Sequence, residues 1–293
     1  MERVHMDNMI TGHYLKPKRT ERDTMNLDFY IPKKLEGISP IIWEQTSDSS
    51  LNWQMLPQGL ISLTFNFEDP WTFHSKPFTN KSSNPTEKFA FLCGLNTKPL
   101  KVSFPHIKTM GITLYPIAAN LVFGIPCSEL VDLAVNGEDI LSHHMDRMEN
   151  EIRELPDFSS RAVWLENFIY SIIQNNTDFS IAIKISKLLD QLLYKKVNGY
   201  SADLYRLTGY SRMHTYRIFK DWFGLSPSQA VSIRQFNHTL ENMHQEYDTL
   251  TKIALRNGYY DQAHFIRMFR QYAGMTPREY VKHKTHIVGQ LPF

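Results

Sequence analysis

Between Leu27 and Leu114 the apolar residues come in short runs. The segments IPKKLEGISPIIWEQ, LPQGLISLTFNFEDPW and KFAFLCGL are rich in β-branched and aromatic residues and are bounded by Pro, Gly, Asn and Asp, which predicts strands. In LISLTFNF the alternation puts Ile61, Leu63, Phe65 and Phe67 on one face and Ser62, Thr64 and Asn66 on the other, the pattern of a half-buried strand. HSKPFTNKSSNPTEK, from His74 to Lys88, reads as a polar loop, and KVSFPHIKTMGITLYP as further strands.

After Pro116 the period changes. AANLVFG predicts a short helix that stops at Gly124 and Pro126. Ser128 is placed to cap a helix over ELVDLAVNG ending at Gly137, and HHMDRMENEIRELP is a charged helix running into Pro156. FSSRAVWLENFIYSIIQNN sets Val163, Leu165, Phe168, Ile169, Ile172 and Ile173 at helical spacing. From Asp178 the pattern is helical to the end, with a broad apolar stripe in SIAIKISKLLDQLLYKK broken by Asn198-Gly199. The fold class expected is an α+β N-terminal domain, β-rich with short helices, followed by an all-α C-terminal domain. The boundaries are 1–140 for the first domain, 141–176 for a helical linker, and 177–293 for the second.

Composition narrows the function. An apolar content of 42% with 21% charge over 293 residues is that of a soluble globular protein of one large domain or two. Cys93 and Cys127 are the chain's two cysteines, too few for a disulfide framework or a multi-cysteine zinc site. MERVHMDNMITGHYLK has no apolar core of a secretory signal, and the apolar stretch Gly111 to Pro126 is interrupted and too short to cross a bilayer. A cytoplasmic protein with no membrane partner is expected. The net charge of +2 hides an asymmetry. From Thr177 onward there are 16 Lys and Arg against 9 Asp and Glu, net +7, while the rest holds 16 against 21, net −5. A basic C-terminal part is suited to a polyanion.

That part also repeats itself. GYSRMHTYRIFKDWFGLSPSQ, from Gly209, returns as GYYDQAHFIRMFRQYAGMTPREY, from Gly258. At an offset of 50, Pro227 matches Pro277, Gly224 matches Gly274, Lys220 matches Arg270, Phe219 matches Phe269, Arg217 matches Arg267 and His214 matches His264. Each copy reads as a short helix, a Gly turn, a longer basic helix, a Gly stop and a newly capped helix. Ser226-Pro227-Ser228-Gln229 and Thr276-Pro277-Arg278-Glu279 each carry the residues of a capping box with Pro at the first helical position.

Two crossing helices with a tight Gly turn, the second bearing basic and amide side chains outward, make a helix-turn-helix. A helix fits the major groove, where Arg can bridge guanine O6 and N7 and Gln adenine N6 and N7, while Lys neutralises phosphate. Duplex DNA is therefore the expected partner, read in two successive groove segments. The contact candidates are Arg212, Met213, Tyr216, Arg217 and Lys220 in the first unit, and Gln262, Ala263, His264, Arg267 and Arg270 in the second. Arg217 and Arg267 lead, being basic, outward and matched.

Residues 177–284 resemble the DNA-binding domain of the AraC/XylS family of bacterial transcription regulators, on the stretch from Ile253-Ala254 through GYYDQAHFIRMFRQYAGMTPREY. LPQGLISLTFNF, GLNTKPL and GITLYPIAANLVFGIP are similar to a subgroup whose N-terminal domain is uncharacterised. The resemblance implies a transcription regulator without a cofactor. It also implies an N-terminal domain that senses a small effector or mediates dimerisation, with RNA polymerase a further partner. The first copy departs from the family pattern, with Tyr205 where the second has Ala254, and Thr215 where it has Phe265. A volume exchange between Tyr205 and Thr215 is expected.

Other chemistries have less to stand on. His214 and His264 invite a metal, but no third ligand accompanies them, and adjacent His143 and His144 near Asp146 point in different directions on a helix. No phosphate loop, nucleophile elbow or His-Glu-x-x-His motif is present, so no enzyme is expected. For the N-terminal domain two alternatives stand, effector sensing or pure dimerisation and partner binding, and its ligand-binding residues are unknown.

Overall fold

The computed structural model describes residues 25–74, 89–141, 144–174, 209–245, 249–285 and 287–293. Strands β1 (Met25–Tyr30), β2 (Ile41–Ser47), β3 (Leu51–Met55), β4 (Ile61–Asn66), β5 (Thr72–Phe73), β6 (Ala90–Cys93), β7 (Leu100–Phe104), β8 (Ile107–Leu114), β9 (Ala134–Asn136) and β10 (Gln290–Pro292) form two antiparallel sheets. The larger has the order β1-β2-β8-β4-β6-β9 and the smaller β10-β3-β7-β5.

The two faces of the larger sheet have different partners. Ile42, Leu63, Phe65, Leu92, Met110 and Ile112 face the helices, in one continuous apolar core that runs on into the C-terminal helices. Phe91 and Ala134, from the other face, pack with Trp71, Leu100, Val102 and Phe104 against the smaller sheet. The half-buried strand expected at 61–67 is therefore covered on both sides. Thr64 and Asn66, read as a solvent face, are buried because the second sheet lies over them.

Four helices follow the strands: α1 (Ala118–Phe123), α2 (Gly137–Leu141), α3 (Met145–Glu154) and α4 (Phe158–Ile173). α1 stops at Gly124 as expected. The helix expected over ELVDLAVNG is a correction. Cys127–Leu130 is a single 3₁₀ turn, Asp132 takes a left-handed φ of 56°, and Ala134–Asn136 pairs with β6. Asp132 is held there by Thr97, whose backbone N–H and hydroxyl both donate to its carboxylate at 2.7 and 2.6 Å. A loop anchor and a strand edge together outcompete the helix.

α4 is fastened to the sheet by polar groups. Arg161 pairs with Glu44 of β2, while Glu166 accepts from the Tyr30 hydroxyl and the Lys34 backbone N–H, each at 2.6 Å. Val163, expected within the apolar stripe of this helix, is 43% exposed. α3 carries the ion pairs Arg147–Glu151 and Arg153–Glu149 one helical turn apart.

The C-terminal part contains α5 (Arg212–Phe223), α6 (Pro227–Gln245), α7 (Leu250–Arg256), α8 (Gln262–Ala273) and α9 (Pro277–His283). The expectation of helix to the end is corrected by β10, which pairs with β3 of the N-terminal domain. His143, the expected loop up to Lys88, the stripe after Ser180, the domain boundary near Thr177 and the Tyr205 side of the volume exchange lie outside the described residues. No helix among the described residues is long and apolar enough to cross a membrane.

Candidate nucleic-acid interface

The two longer basic helices begin and end fifty positions apart, α5 at 212 and 223 and α8 at 262 and 273. Each is entered through a capped turn. Ser211 accepts from the His214 N–H at 3.3 Å and Asp261 from the His264 N–H at 2.6 Å, satisfying one of the donors that a helix start leaves open. Gly209 and Gly258, just before these caps, have φ of 70° and 79°, and at Gly258 this left-handed turn takes the chain from α7 into α8. Gly224 and Gly274 close the helices at φ of 69° and 71°.

The next helix then starts alike in both units. Ser226 and Gln229 exchange bonds, with Ser226 N–H donating to Oε1 at 3.0 Å and Gln229 N–H to Oγ at 3.3 Å. Thr276 and Glu279 do the same at 2.6 and 3.2 Å, and these bonds hold the exposed Glu279 carboxyl below its ordinary range. Both capping boxes read from the sequence are present.

Each basic helix buries one side. Thr215, Phe219 and Phe223 of α5 face the core, as do Phe265, Phe269 and Tyr272 of α8. Phe236, midway along α6, packs against Phe269 and Tyr272 with ring centroids 5.3 Å away in each case. The opposite side carries the candidates. Arg212, Met213, Tyr216 and Arg217 are exposed on α5, with Met213 at 78%, and Lys220 is half-buried. On α8, Gln262, Ala263, Arg267 and Arg270 are exposed, and His264 is half-buried. Each set shares one helix face.

Several supporting residues carry no signature in the sequence. Tyr260, 89% exposed in the turn before α8, stands beside the second set. Arg217 donates to His214 Nδ1 at 3.1 Å, and the Tyr260 N–H lies 3.4 Å from His264 Nδ1, so both matched histidines are tied within their own unit. Asn257 is buried and fully used. Its amide NH₂ donates to the Ile253 carbonyl, its Oδ1 meets Asn242 and His238, and its backbone carbonyl accepts from Gln235. It locks the short helix α7 onto α6. The one cue was its place before Gly258, at a helix end.

Among the described residues, no group of three or more His, Cys, Asp or Glu is placed to hold a metal ion. Burial pushes the Cys127 thiol up to about 12, far from a reactive thiolate.

Comparison with known proteins locates two regions. Residues 204–283 match the family of a helix-turn-helix domain, and residues 35–136 match a domain of unknown function, DUF6597. A probable transcription factor, PqrA of Proteus vulgaris, is 31% identical over 78 residues, covering 27% of this chain and 64% of the relative. An uncharacterized HTH-type transcriptional regulator of Haemophilus influenzae is 26% identical over 114 residues, 38% of either chain. The chain thus spans less than two thirds of each of these relatives. Among solved structures, ToxT from Vibrio cholerae O395 superposes with a TM-score of 0.46 at 15% identity, over 92% of this chain and all of that one.

Proposed function

We propose, from the premise that residues 204–283 form a helix-turn-helix domain of the AraC type, that the chain is a sequence-specific DNA-binding transcription regulator. The observation that carries this reading is the pairing of α5 and α8 at a constant offset of fifty positions, each with a buried aromatic side and an exposed side bearing two arginines. α6 has 19 residues and is therefore about 28 Å long. That is the same scale as, though shorter than, the roughly 34–36 Å that separates successive major-groove faces on one side of a duplex.

In this reading Arg217 and Arg267 reach base edges. Arg212, Lys220 and Arg270 hold phosphates, Met213, Tyr216 and Ala263 offer apolar contact, and Gln262 and His264 hydrogen-bond bases or backbone. The N-terminal domain senses a small effector or joins two copies of the chain, and RNA polymerase is the partner through which bound protein acts.

The test uses the full chain. It is incubated with a randomised duplex pool, bound DNA is enriched over several rounds, and affinity for the recovered sequence is measured across a salt series. A recovered consensus, bound with a steep loss of affinity in salt, is the expected outcome. Recovery of no consensus, or binding that ignores salt, overturns the reading.

A further inference from the structure

The two basic helices touch the N-terminal domain at matching places. A Cβ on Gly224, which ends α5, would lie 2.8 Å from the Cys127 carbonyl oxygen and 3.0 Å from Val131 Cγ2. One on Gly274, which ends α8, would lie 3.5 Å from Pro99. The Ala273 carbonyl, one of the last in α8 and without a partner inside the helix, accepts from Gln54 Nε2 at 2.9 Å. Gln54 is a buried side chain on β3. Both helices therefore rest their C-terminal ends on one body, while their capped N-terminal ends at Ser211 and Asp261 are exposed.

The second unit has an additional tie. After α9 the chain returns to the N-terminal domain. The Gly289 carbonyl accepts from the Leu56 N–H at 2.8 Å, and Gln58 donates to the Val288 carbonyl at 3.2 Å. β10 then pairs with β3, and Leu291, 1% exposed, stands opposite Gln54 itself. Phe293 closes the end against the His74 ring at 5.6 Å and the Lys101 ammonium at 4.8 Å. One strand thus carries the residue that holds the end of α8 and also the edge that holds the tail behind α9. In the first unit, α6 is seated separately, with Ile233 Cγ2 3.3 Å from a Cβ built on Gly59.

We infer that the N-terminal domain sets the spacing between the two reading helices, and that Gln54 and Leu291 are positioning residues for the second of them. They touch no DNA. They fix where α8 lies relative to α5, and so which separation of half-sites the chain accepts. The inference rests on the DNA-reading function proposed above. Its physical content is geometric: one inserted base pair moves a half-site by about 3.4 Å and turns it by about a tenth of a helical turn. A frame tied at both ends does not follow such a shift, whereas a frame released at one end does.

The experiment takes the bipartite duplex recovered by the full wild-type chain and inserts or deletes one and two base pairs between its halves. Wild type, Gln54→Ala and Leu291→Ala are titrated on each duplex, and thermal unfolding of each protein is recorded. The wild type is expected to lose about tenfold in affinity per step, comparable to a mismatched base pair. Both variants are expected to bind the parent duplex within a few fold of wild type and to lose most of the penalty for altered spacing. Variants that discriminate spacing as sharply as wild type overturn the inference while leaving the DNA reading intact. A wild type that enriches an undivided consensus overturns the inference alone, and one that enriches no consensus removes the DNA reading as well. If Leu291→Ala loses its unfolding transition, Gln54→Ala, which removes one hydrogen bond and a buried side chain outside the apolar core, decides the matter.

Discussion

The Arg161 guanidinium holds the Glu44 carboxylate with Nη2 2.6 Å from Oε2 and 2.9 Å from Oε1, and Nε 3.1 Å from Oε2. Both side chains are about nine-tenths buried, and the remaining guanidinium nitrogen donates to the Leu155 carbonyl at 3.0 Å. The pair is the polar rivet between α4 and the larger sheet.

Removing one member of such a pair strands the other charge in a dry site. Arg161→Met is expected to destabilise the chain by about 3–5 kcal/mol, and the double change Arg161→Met with Glu44→Met to recover most of the loss. Urea unfolding of the three proteins measures both effects. A single variant as stable as wild type would contradict the buried geometry.

Glycines at matching conformations are expected to differ sharply in their tolerance. Gly209 and Gly224 share a left-handed φ, but a Cβ on Gly209 meets no atom of the described residues within 4 Å, whereas on Gly224 it strikes the Cys127 carbonyl. Gly209→Ala should cost only the backbone strain, about 1–2 kcal/mol. Gly224→Ala should cost more and loosen α5 from the turn at Cys127–Leu130, seen as a lower Tm and faster proteolysis near residue 224.

For DNA, Arg267→Ala is expected to weaken binding to the selected duplex by about 1–3 kcal/mol and to relax preference at one base position. Arg217→Ala should act likewise in the other half-site. Repeating the selection with each variant shows which half of the consensus blurs. An unchanged consensus from both would mean that the reading face has been misassigned.

Much of this was legible beforehand, and the misses have physical causes. The repeat offset, the four glycines and both capping boxes could be read directly, because they depend on contacts within a few residues. The outward side of α8 followed from Phe265 and Phe269 at helical spacing. What could not be read depends on partners far along the chain. Thr64 and Asn66 look solvent-facing until a second sheet covers them. Val131 to Asn136 looks helical until Thr97 captures Asp132. Gln290 to Pro292 falls in a stretch read as helical to the end until β3 offers its edge. Asn257 showed only its place before Gly258, since its four partners lie on α6 and α7 and are assembled only by folding.

A pH effect follows from Tyr30. Its hydroxyl donates to Glu166, and that hydrogen bond, with burial and the nearby carboxylate charge, raises its pKa to about 12. The folded state therefore holds this proton more tightly than the unfolded state, whose tyrosine titrates at its ordinary value near 10. The resulting stabilisation is fully present below about pH 10 and is lost as pH rises towards 12. Tyr30→Phe should be less stable than wild type at pH 8, and the gap should close between pH 10 and 12. A gap that stays constant in urea unfolding across that window would contradict the linkage.

The pairing of β10 with β3 also bears on how the molecule is made. During synthesis β1 to β9 can emerge and pair, but the open edge of β3 stays without its neighbour until translation has passed Pro292. An unpaired strand edge is a template for any other extended chain nearby. Until β10 docks, the chain carries a sticky margin, and its docking closes that margin beside Gln54, the residue that holds the end of the second basic helix. Completion of the N-terminal sheet and the seating of the C-terminal helices thus share one strand, β3.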